Sequence, residues 1–562
     1  MSEKHYDVVV LGGGLAGLAL SIQLKLAKPD IKILVIERRK SVAPTSAHKV
    51  GESTVELASY YLRHVLGLKD YLEKHELPKY GLRFFFKSHT KDVIESRVEL
   101  GPRKWLYTPS HQLDRGTLEN HMAEKTAGLG TEFLLNAVAK DVEFGKDQST
   151  VTYTHNGEDV KATARWVVDA TSRNSFLKRK FDFAKPMEHH INAVWWRLKG
   201  VIDITNWSDN EEWRNYPQVK LRYLSTVHFL DKGYWVWVIP LGSKNTSIGI
   251  VADPAIHPFD TFDTYEKSME WLKVNEPLCY KMLEPETPNK MDFKILKHFA
   301  HHTGRLYDGG QRWAVTGEAG AFLDPFYSPG SDFISMNNTW LSDLILRELG
   351  GEDVQFRAEI YEQTHLALID SWIPIYQNKY LLMGNAQVMS TKILWDWAIY
   401  WAVPCLMFTN KAFTDLRMLK QLFVAPTSLG QKFRKLHNQM QKLFMDWQPY
   451  DTEIFERKFV DPIDLSYMLD FQSNINTQYG DKLLEQIGIN MSILEKVAAE
   501  IFRRVSHHAK GTPLDMPVDP YTMDLENPQP VAEGTNIPRD EKVIRDVDVL
   551  WFYPKVEMEE MA

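Results

Sequence analysis

The sequence predicts an α/β fold, α+β overall, made of a Rossmann-like domain, an antiparallel-sheet domain and a helical C-terminal region. Three observations support this prediction: a strand, glycine-rich turn, helix and second strand at the start, a run of strand patterns in the middle, and helical patterns after about residue 350. We expect residues 1–175 and 305–350 to form the first domain, 176–304 the second, 351–505 a helical subdomain over the substrate site and 506–562 a Pro-rich wrapping tail.

The first βαβ unit is the most regular part of the pattern. "YDVVVLG" and "KILVIE" read as buried strands on either side of the helical segment "LAGLALSIQLKLAK". Gly12, Gly14 and Gly17 form G-x-G-x-x-G at the first turn, where glycines allow a pyrophosphate to approach the helix N-terminus. Glu37 follows Gly17 by 20 residues and is suited to accept a hydrogen bond from a ribose hydroxyl. An ordinary strand-helix turn is the alternative, but the full pattern predicts dinucleotide binding, with Leu15, Ala16 and Arg38 as further contacts.

The middle of the chain predicts an antiparallel sheet. "INAVWWRLKGVI", "VKLRYLSTVHFL", "GYWVWVIPL" and "NTSIGIVAD" are strand patterns separated by polar turns. The later apolar stretch from Ile393 to Phe408 is shorter than a membrane span and contains Asp396 and Pro404, so we expect a helix buried in the protein core. Asp396 would then be a capped or paired core acid, or else line the substrate pocket.

Composition excludes several classes of function. The chain has 562 residues, 44% of them hydrophobic, and a net charge of −8 that is spread out, so nucleic acid is not an expected partner. The two cysteines, Cys279 and Cys405, suggest neither a disulfide nor a zinc site, and adjacent histidine pairs such as His189/His190 point in different directions, so we expect no metal. A charged N-terminus that leads directly into a strand indicates no signal peptide, and a cytoplasmic protein is expected.

Three further segments identify the dinucleotide as FAD by resemblance. Arg115 lies in "QLDRGTLEN", Asp169 ends the strand in "RWVVDATSRNS", and Gly317 and Glu318 begin the turn in "RWAVTGEAGAFLDPFYSPGSD". This order resembles the flavin monooxygenase superfamily, and the resemblance implies that all four residues contact FAD. No second G-x-G-x-x-G follows a later strand, so a separate nicotinamide site is disfavoured.

The stretch "GYWVWVIPLG" points to one family within this superfamily. Trp235, Trp237, Ile239 and Pro240 spell W-x-W-x-I-P, which on physical grounds alone could be a core strand with two tryptophans on one face. The pattern resembles the signature of flavin-dependent halogenases, closer to the phenol and pyrrole type than to tryptophan halogenases. "VGEST", with Ser53, and "PKYGLRF", with Lys79, resemble the family's flavin-side and lysine-bearing segments, so the resemblance covers about residues 5 to 350.

The resemblance implies a reaction and its partners. A separate flavin reductase would supply reduced FAD, dioxygen and chloride or bromide would give hypohalous acid, and Lys79 would direct the halogen to a small aromatic substrate, either free or carrier-bound. A lysine suits this role because its ammonium can polarise the halogen and its amine can form a haloamine. Lys49, beside "VGEST", is the competing lysine.

Two departures from the family pattern leave alternatives open. Tyr327 stands where tryptophan halogenases carry a glutamate, which disfavours free tryptophan and favours phenolic or pyrrolic rings. Pro329 has no N–H for the halide, although Gly330 and Ser331 offer theirs. An FAD-dependent aromatic hydroxylase is therefore the main alternative, and a catalytically silent flavin-fold binding protein is a third.

Overall fold

A computed structural model describes residues 4–43, 51–87, 90–216, 221–424, 428–451, 458–511, 517–527 and 537–552. In chain order the strands are β1 (Lys4–Leu11), β2 (Ile33–Ile36), β3 (Leu77–Lys79), β4 (Leu82–Phe86), β5 (Val98–Leu100), β6 (Ser110–Gln112), β7 (Glu132–Leu134), β8 (Ala137–Glu143), β9 (Ser149–His155), β10 (Glu158–Asp169), β11 (Ala184–Lys185), β12 (Asn192–Lys199), β13 (Thr226–Asp231), β14 (Tyr234–Pro240), β15 (Asn245–Ala252), β16 (Lys294–Leu296), β17 (His302–Thr303), β18 (Tyr307–Asp308), β19 (Trp313–Val315) and β20 (Phe459–Val460).

The α-helices are α1 (Leu15–Ala27), α2 (Glu56–Tyr60), α3 (Lys69–His75), α4 (Arg115–Gly128), α5 (Phe176–Lys180), α6 (Glu211–Asn215), α7 (Tyr265–Asn275), α8 (Pro277–Leu283), α9 (Gly330–Leu349), α10 (Gln355–Tyr376), α11 (Ala386–Tyr400), α12 (Leu406–Thr409), α13 (Leu416–Leu419), α14 (Leu429–Trp447), α15 (Ser466–Asn474), α16 (Leu483–Lys510) and α17 (Glu541–Leu550). The mixed α/β fold class is confirmed.

The first sheet is the Rossmann-like one, with strand order β18-β19-β10-β1-β2-β7. β1 pairs in parallel with both β2 and β10, and β10 pairs in parallel with β19, so four strands end at one edge. The core strand β2 is buried at every residue, as expected for a parallel sheet covered on both faces. This edge is where an α/β sheet binds its ligand.

The second sheet has the order β16-β12-β15-β14-β13-β4-β5-β20 and contains all four of the predicted middle strands. In the described part of "VKLRYLSTVHFL", which begins at Leu221, the strand starts at Thr226, because Arg222 before it lies in a short 3-10 turn and pairs with the buried Glu99. Three strands of this sheet, β4, β5 and β20, come from outside residues 176–304, which sequence patterns near the middle could not reveal.

The helical region packs against both sheets, with α10 against β18 of the first and the 3-10 turn Tyr380–Gly384 against β13 of the second. The stretch Ile393 to Phe408 is buried throughout, running from α11 through a π-turn that contains Pro404 into α12. Within the described residues, no helix has the length and apolar character needed to cross a membrane. The predicted tail differs from a simple wrapping segment, since α17 packs against α16 and α15 through buried residues such as Val543 and Val547.

Candidate active site

A large cavity of about 510 Å³ lies at the carboxyl edge of the first sheet. Its walls include the residues that directly follow the four parallel strands: Gly12, Glu37, Ala170 and Thr316. Twelve of the residues predicted to bind FAD or halide line it: Gly12, Gly14, Leu15, Ala16, Glu37, Arg38, Ser53, Arg115, Gly317, Glu318, Gly330 and Ser331. The structure therefore brings together residues that are more than 300 positions apart in the chain.

The glycine turn is shaped for a phosphate group. Gly12 has φ +110°, and a Cβ there would lie 2.3 Å from the carbonyl oxygen of Ala170. A Cβ at Gly17 would lie 2.2 Å from the carbonyl oxygen of Gly12, so this glycine does not line the cavity but lets α1 pack under the turn. α1 begins at Leu15 with no acidic residue in its first turn, which leaves its positive end available to a pyrophosphate. These residues fit FAD.

Glu37 and Asp169 have different surroundings. Glu37 lines the cavity, while its carboxylate accepts hydrogen bonds from the backbone N–H of Gly13 (2.7 Å) and of Arg39 (2.9 Å). Asp169 is fully buried and does not line the cavity. It accepts hydrogen bonds from Thr171 and from the N–H of Leu177, and so shapes the loop whose next residues reach the cavity.

The two signature tryptophans form part of the cavity wall. Trp235 and Trp237, both in β14, line it together with Ile239, whereas Pro240 only ends the strand. Trp237 Nε1 donates to Ser247 Oγ (3.1 Å), and Trp235 Nε1 donates to Tyr380 OH (3.0 Å). Trp235 and Trp237 are therefore buried core residues that also line the cofactor cavity. The core-strand interpretation and the halogenase-signature interpretation of W-x-W-x-I-P are thus compatible.

A second, smaller cavity of about 60 Å³ lies beside the first and is walled mostly by the helical region. Its lining is largely apolar, with side chains such as Leu82, Leu106, Ile375, Ile399 and Pro404, and it also contains Lys79, Glu56, Asp332, Asp396 and His437. A mostly apolar pocket with a few polar groups is typical of a small-molecule site.

Lys79 lies at the boundary between the two cavities. Its side chain lines the smaller cavity, and its Nζ donates hydrogen bonds to Ser53 Oγ (2.8 Å) and to the Thr54 carbonyl oxygen (2.7 Å). Ser53 lines the larger cavity. Burial lowers the pKa of Lys79 to about 7, against the opposing effect of the nearby Glu56 and Asp332 carboxylates. The competing residue Lys49 lies outside the described residues.

The turn from Tyr327 to Asp332 separates the cavities. Ser328, Pro329, Gly330 and Ser331 line the larger cavity, whereas Tyr327 and Asp332 line the smaller one. Tyr327 and Ser328 have φ of +72° and +61°, a conformation that non-glycine residues seldom adopt and that often marks a functional turn. α9 begins at Gly330, so its N-terminal N–H groups lie at the wall of the larger cavity.

The smaller cavity contains carboxyl groups that the sequence did not point to. Glu56 lies in the first turn of α2, and burial raises its pKa. Asp332 accepts hydrogen bonds from Tyr400 OH (2.7 Å) and from the Ala58 N–H (2.8 Å), and burial raises its pKa to about 7. No motif spacing marks either residue; only the neighbourhood of "GEST" and of "SPGSD" could have suggested them.

Asp396 satisfies both sequence expectations, since it is a paired core acid and also lines the smaller cavity. Its carboxylate pairs with Lys392 Nζ (2.5 Å) and accepts hydrogen bonds from Gln441 (2.7 Å) and from Tyr327 OH (3.0 Å). Tyr327, which stands where tryptophan halogenases carry a glutamate, is thus hydrogen-bonded to a carboxylate that Lys392 already neutralises.

Comparisons with known proteins agree with this geometry. A family profile described as an FAD binding domain matches residues 5–247. The flavin-dependent halogenase chlA of Dictyostelium discoideum is 26% identical over 500 residues, which cover 79% of this chain and 81% of that protein. The chain is therefore similar to flavin-dependent halogenases over most of its length. The resemblance drawn from W-x-W-x-I-P and its companion segments is confirmed.

Two further matches are also to halogenases. A 1H-pyrrole-2-carbonyl-(peptidyl-carrier protein) chlorinase of Pseudomonas fluorescens is 27% identical over 355 residues, covering 59% of this chain and 73% of that enzyme. The crystal structure of halogenase PltM with phloroglucinol and FAD has a TM-score of 0.60 at 15% identity, covering 86% of this chain and 96% of that one, which shows a shared fold. The matching profile is that of an FAD binding domain, and the larger cavity is where the chain's own residues fit FAD.

Proposed function

We propose that this protein is a flavin-dependent halogenase that attaches chlorine or bromine to a small phenolic or pyrrolic ring held in the smaller cavity, and that Lys79 delivers the halogen. The observation that carries the proposal is the position of Lys79, whose side chain lines the smaller cavity while its Nζ donates to Ser53 of the larger one. Reduced FAD, when bound, supplies electrons to dioxygen, which oxidises chloride or bromide to hypohalous acid.

Lys79 is suited to accept the halogen. With a pKa of about 7, a substantial fraction of the side chain is a neutral amine at neutral pH. The amine nitrogen attacks the halogen of hypohalous acid, so that an N–halogen bond forms, the halogen–oxygen bond breaks, and hydroxide leaves and takes the amine proton to become water. The ammonium form instead donates a hydrogen bond to hypohalous acid and polarises it. Both forms hold the electrophile at the boundary of the substrate cavity.

The carboxyl groups of the smaller cavity can move the remaining protons. When the ring carbon takes the halogen from Lys79, the nitrogen needs a proton and the ring must then lose one. Glu56 lies two residues after Thr54, whose carbonyl oxygen accepts from Lys79 Nζ, and its raised pKa favours the protonated acid. Glu56 can therefore protonate the lysine nitrogen and then, as a carboxylate, accept the ring proton.

The halide would be held at the start of α9. The N–H groups of Gly330 and Ser331 lie in the first turn of this 20-residue helix, at the wall of the larger cavity. The positive end of a helix attracts anions, which supports a halide here although Pro329 contributes no N–H. Aromatic substrates are supported by the smaller cavity's largely apolar lining.

The relatives' names give two forms in which the substrate could be presented. The Pseudomonas fluorescens chlorinase is named for a pyrrole-2-carbonyl group on a carrier protein, and PltM was crystallised with free phloroglucinol. Purified protein with a flavin reductase, FAD, dioxygen and bromide should be given free phenols, pyrroles and indoles and a carrier-bound pyrrole, and the product masses read. We expect brominated phenols or pyrroles and no bromotryptophan.

The alternative, an aromatic hydroxylase, is favoured by one observation, the proline at position 329 in the halide turn. The same assay without halide distinguishes the two. Oxygenated product formed equally well without chloride or bromide would replace the halogenase proposal with the hydroxylase.

A further inference from the structure

Two buried N–H groups in the wall of the smaller cavity have no role in the proposed halogen transfer. They belong to His437 in α14 and Trp397 in α11, and both residues line the cavity that also contains Lys79. Neither His437 Nε2 nor Trp397 Nε1 makes a hydrogen bond within the part of the chain that the structure describes. Buried polar atoms are nearly always hydrogen-bonded, so two unpaired ones in one ligand cavity point to the ligand as their partner.

The hydrogen bond of the other ring nitrogen determines where His437 carries its proton. Trp395 Nε1 donates to His437 Nδ1 (3.3 Å), and an indole nitrogen can only donate, so Nδ1 carries no hydrogen. Burial, reinforced by the charges of Lys392 and Lys379, lowers the pKa of His437 to about 3 and keeps the ring neutral. The single ring proton is therefore on Nε2, and both unpaired groups are donors.

We propose that Trp397 Nε1–H and His437 Nε2–H together bind an oxygen of the aromatic substrate, either the anionic oxygen of a phenol or a carbonyl oxygen attached to the ring. This inference rests on the proposed function, because it takes the smaller cavity to be the substrate site. Two donors on one oxygen stabilise negative charge there, as in an oxyanion hole. A phenol held as its phenolate is more electron-rich at the ring carbons, which favours attack on the halogen at Lys79.

Three carboxyl groups line the cavity that contains the two donors, and burial raises the pKa of two of them, Glu56 and Asp332, which favours their neutral forms. The neighbouring carboxylate, Asp396, is already paired with Lys392 Nζ (2.5 Å) and accepts from Gln441 Nε2 (2.7 Å). Lys392 is itself fully buried, so its positive charge is poorly screened by solvent. A cationic substrate group would face two N–H donors and is disfavoured.

Equilibrium binding of substrate analogues to the FAD-loaded protein tests, without turnover, whether Trp397 and His437 bind a substrate oxygen. The probes are 4-nitrophenol against 4-nitrotoluene, which has a methyl group in place of the oxygen, and 2-acetylpyrrole against 2-ethylpyrrole. We expect wild type to prefer the oxygen-bearing member of at least one pair, and to bind 4-nitrophenol as the coloured phenolate at a pH below the phenol's own pKa. Trp397→Phe and His437→Leu should each weaken binding of the preferred oxygen ligand by about tenfold and leave its partner unchanged.

Controls separate this inference from the proposed function. Trp372→Phe changes another tryptophan that lines the same cavity and should keep the oxygen preference, and FAD content with thermal unfolding checks that each variant is folded. Equal binding of both members of both pairs by wild type, or an equal loss of both members in Trp397→Phe, would overturn the inference. If the oxygen preference holds but no bromide-dependent product forms, the proposed function fails while the oxygen site stands.

Discussion

Replacing Gly249 with alanine should displace the signature tryptophan Trp237. Gly249 lies opposite Trp237 in the pairing of β14 with β15, and a Cβ at Gly249 would lie 2.2, 2.3 and 2.4 Å from three atoms of the Trp237 ring. Carbon atoms pack at about 3.5 Å, so the ring must move by roughly 1 Å. That movement strains the core and lengthens the 3.1 Å hydrogen bond from Trp237 Nε1 to Ser247 Oγ.

The expected loss of folding stability follows from the overpacking and from the weakened hydrogen bond. Overpacking of a core costs about 1–3 kcal/mol, and the loss of a buried hydrogen bond about 1 kcal/mol more. We therefore expect Gly249→Ala to lower the free energy of unfolding by about 2–4 kcal/mol. FAD affinity should also fall, because Trp237 lines the cofactor cavity. Denaturant unfolding of the FAD-free protein and flavin titration measure the two quantities separately.

A double mutant tests whether contact with the Trp237 ring causes the destabilisation by Gly249→Ala. Leucine at position 237 lacks the ring atoms that meet the new Cβ, so Gly249→Ala should cost much less in a Trp237→Leu background, with a coupling energy of about 0.5–3 kcal/mol. Gly128→Ala is the matched control, since a Cβ there meets no atom within 4 Å. Strictly additive costs, or a Gly249→Ala protein as stable as wild type, would refute the packing argument.

Three further predictions concern the cofactor, the substrate and the pH dependence. Gly14→Val should abolish FAD binding in a flavin titration, because a branched side chain would occupy the wall beside the helix N-terminus; unchanged affinity would contradict the cavity assignment. Ile399→Ala should alter the ratio of rates between substrates and leave FAD affinity unchanged, because Ile399 lines the smaller cavity and not the larger; equal loss of both would make α11 a general core element. Halogenation should rise with pH through about 7 as Lys79 loses its proton, and Asp332→Asn should move this rise to lower pH, because the Asp332 carboxylate raises the pKa of Lys79; a pH profile left unchanged by Asp332→Asn would exclude this effect of Asp332 on Lys79.

Local patterns predicted the elements that depend on neighbours in sequence. The βαβ unit around Gly12 and the tryptophan strand β14 have strict periodicity and fixed turn chemistry, so both formed where the sequence indicated. Of the twelve predicted residues that line the larger cavity, Gly12, Gly14 and Glu37 follow from the same logic, because parallel strands place their carboxyl ends at one edge. The resemblance to flavin enzymes was needed for the others, such as Arg115 and Glu318.

The parts that sequence reasoning missed depend on long-range packing. Glu56 and Asp332 are 276 positions apart, yet both line the smaller cavity because α2 and α9 pack together there. Asp169 carries the family pattern, but its hydrogen bonds to Thr171 and Leu177 are set by the loop that follows β10. The helix α17 lies in a Pro-rich region whose composition hides a short amphipathic segment.

The most direct test of Lys79 as the group that delivers the halogen is the yield of halogenated product per reduced FAD consumed. Lys79→Ala should still bind FAD and consume reduced flavin, while its halogenated product falls by a factor of at least about 100, and Lys79→Arg should rescue little because a guanidinium does not form a neutral haloamine. Lys458→Ala is the matched control, because Lys458 is also partly buried, with a pKa lowered to about 8, but lines neither cavity. Lys49→Ala tests the competing lysine in the same way and should keep most of the yield. Wild-type yield from Lys79→Ala, or a collapse in Lys49→Ala alone, would contradict the assignment of Lys79.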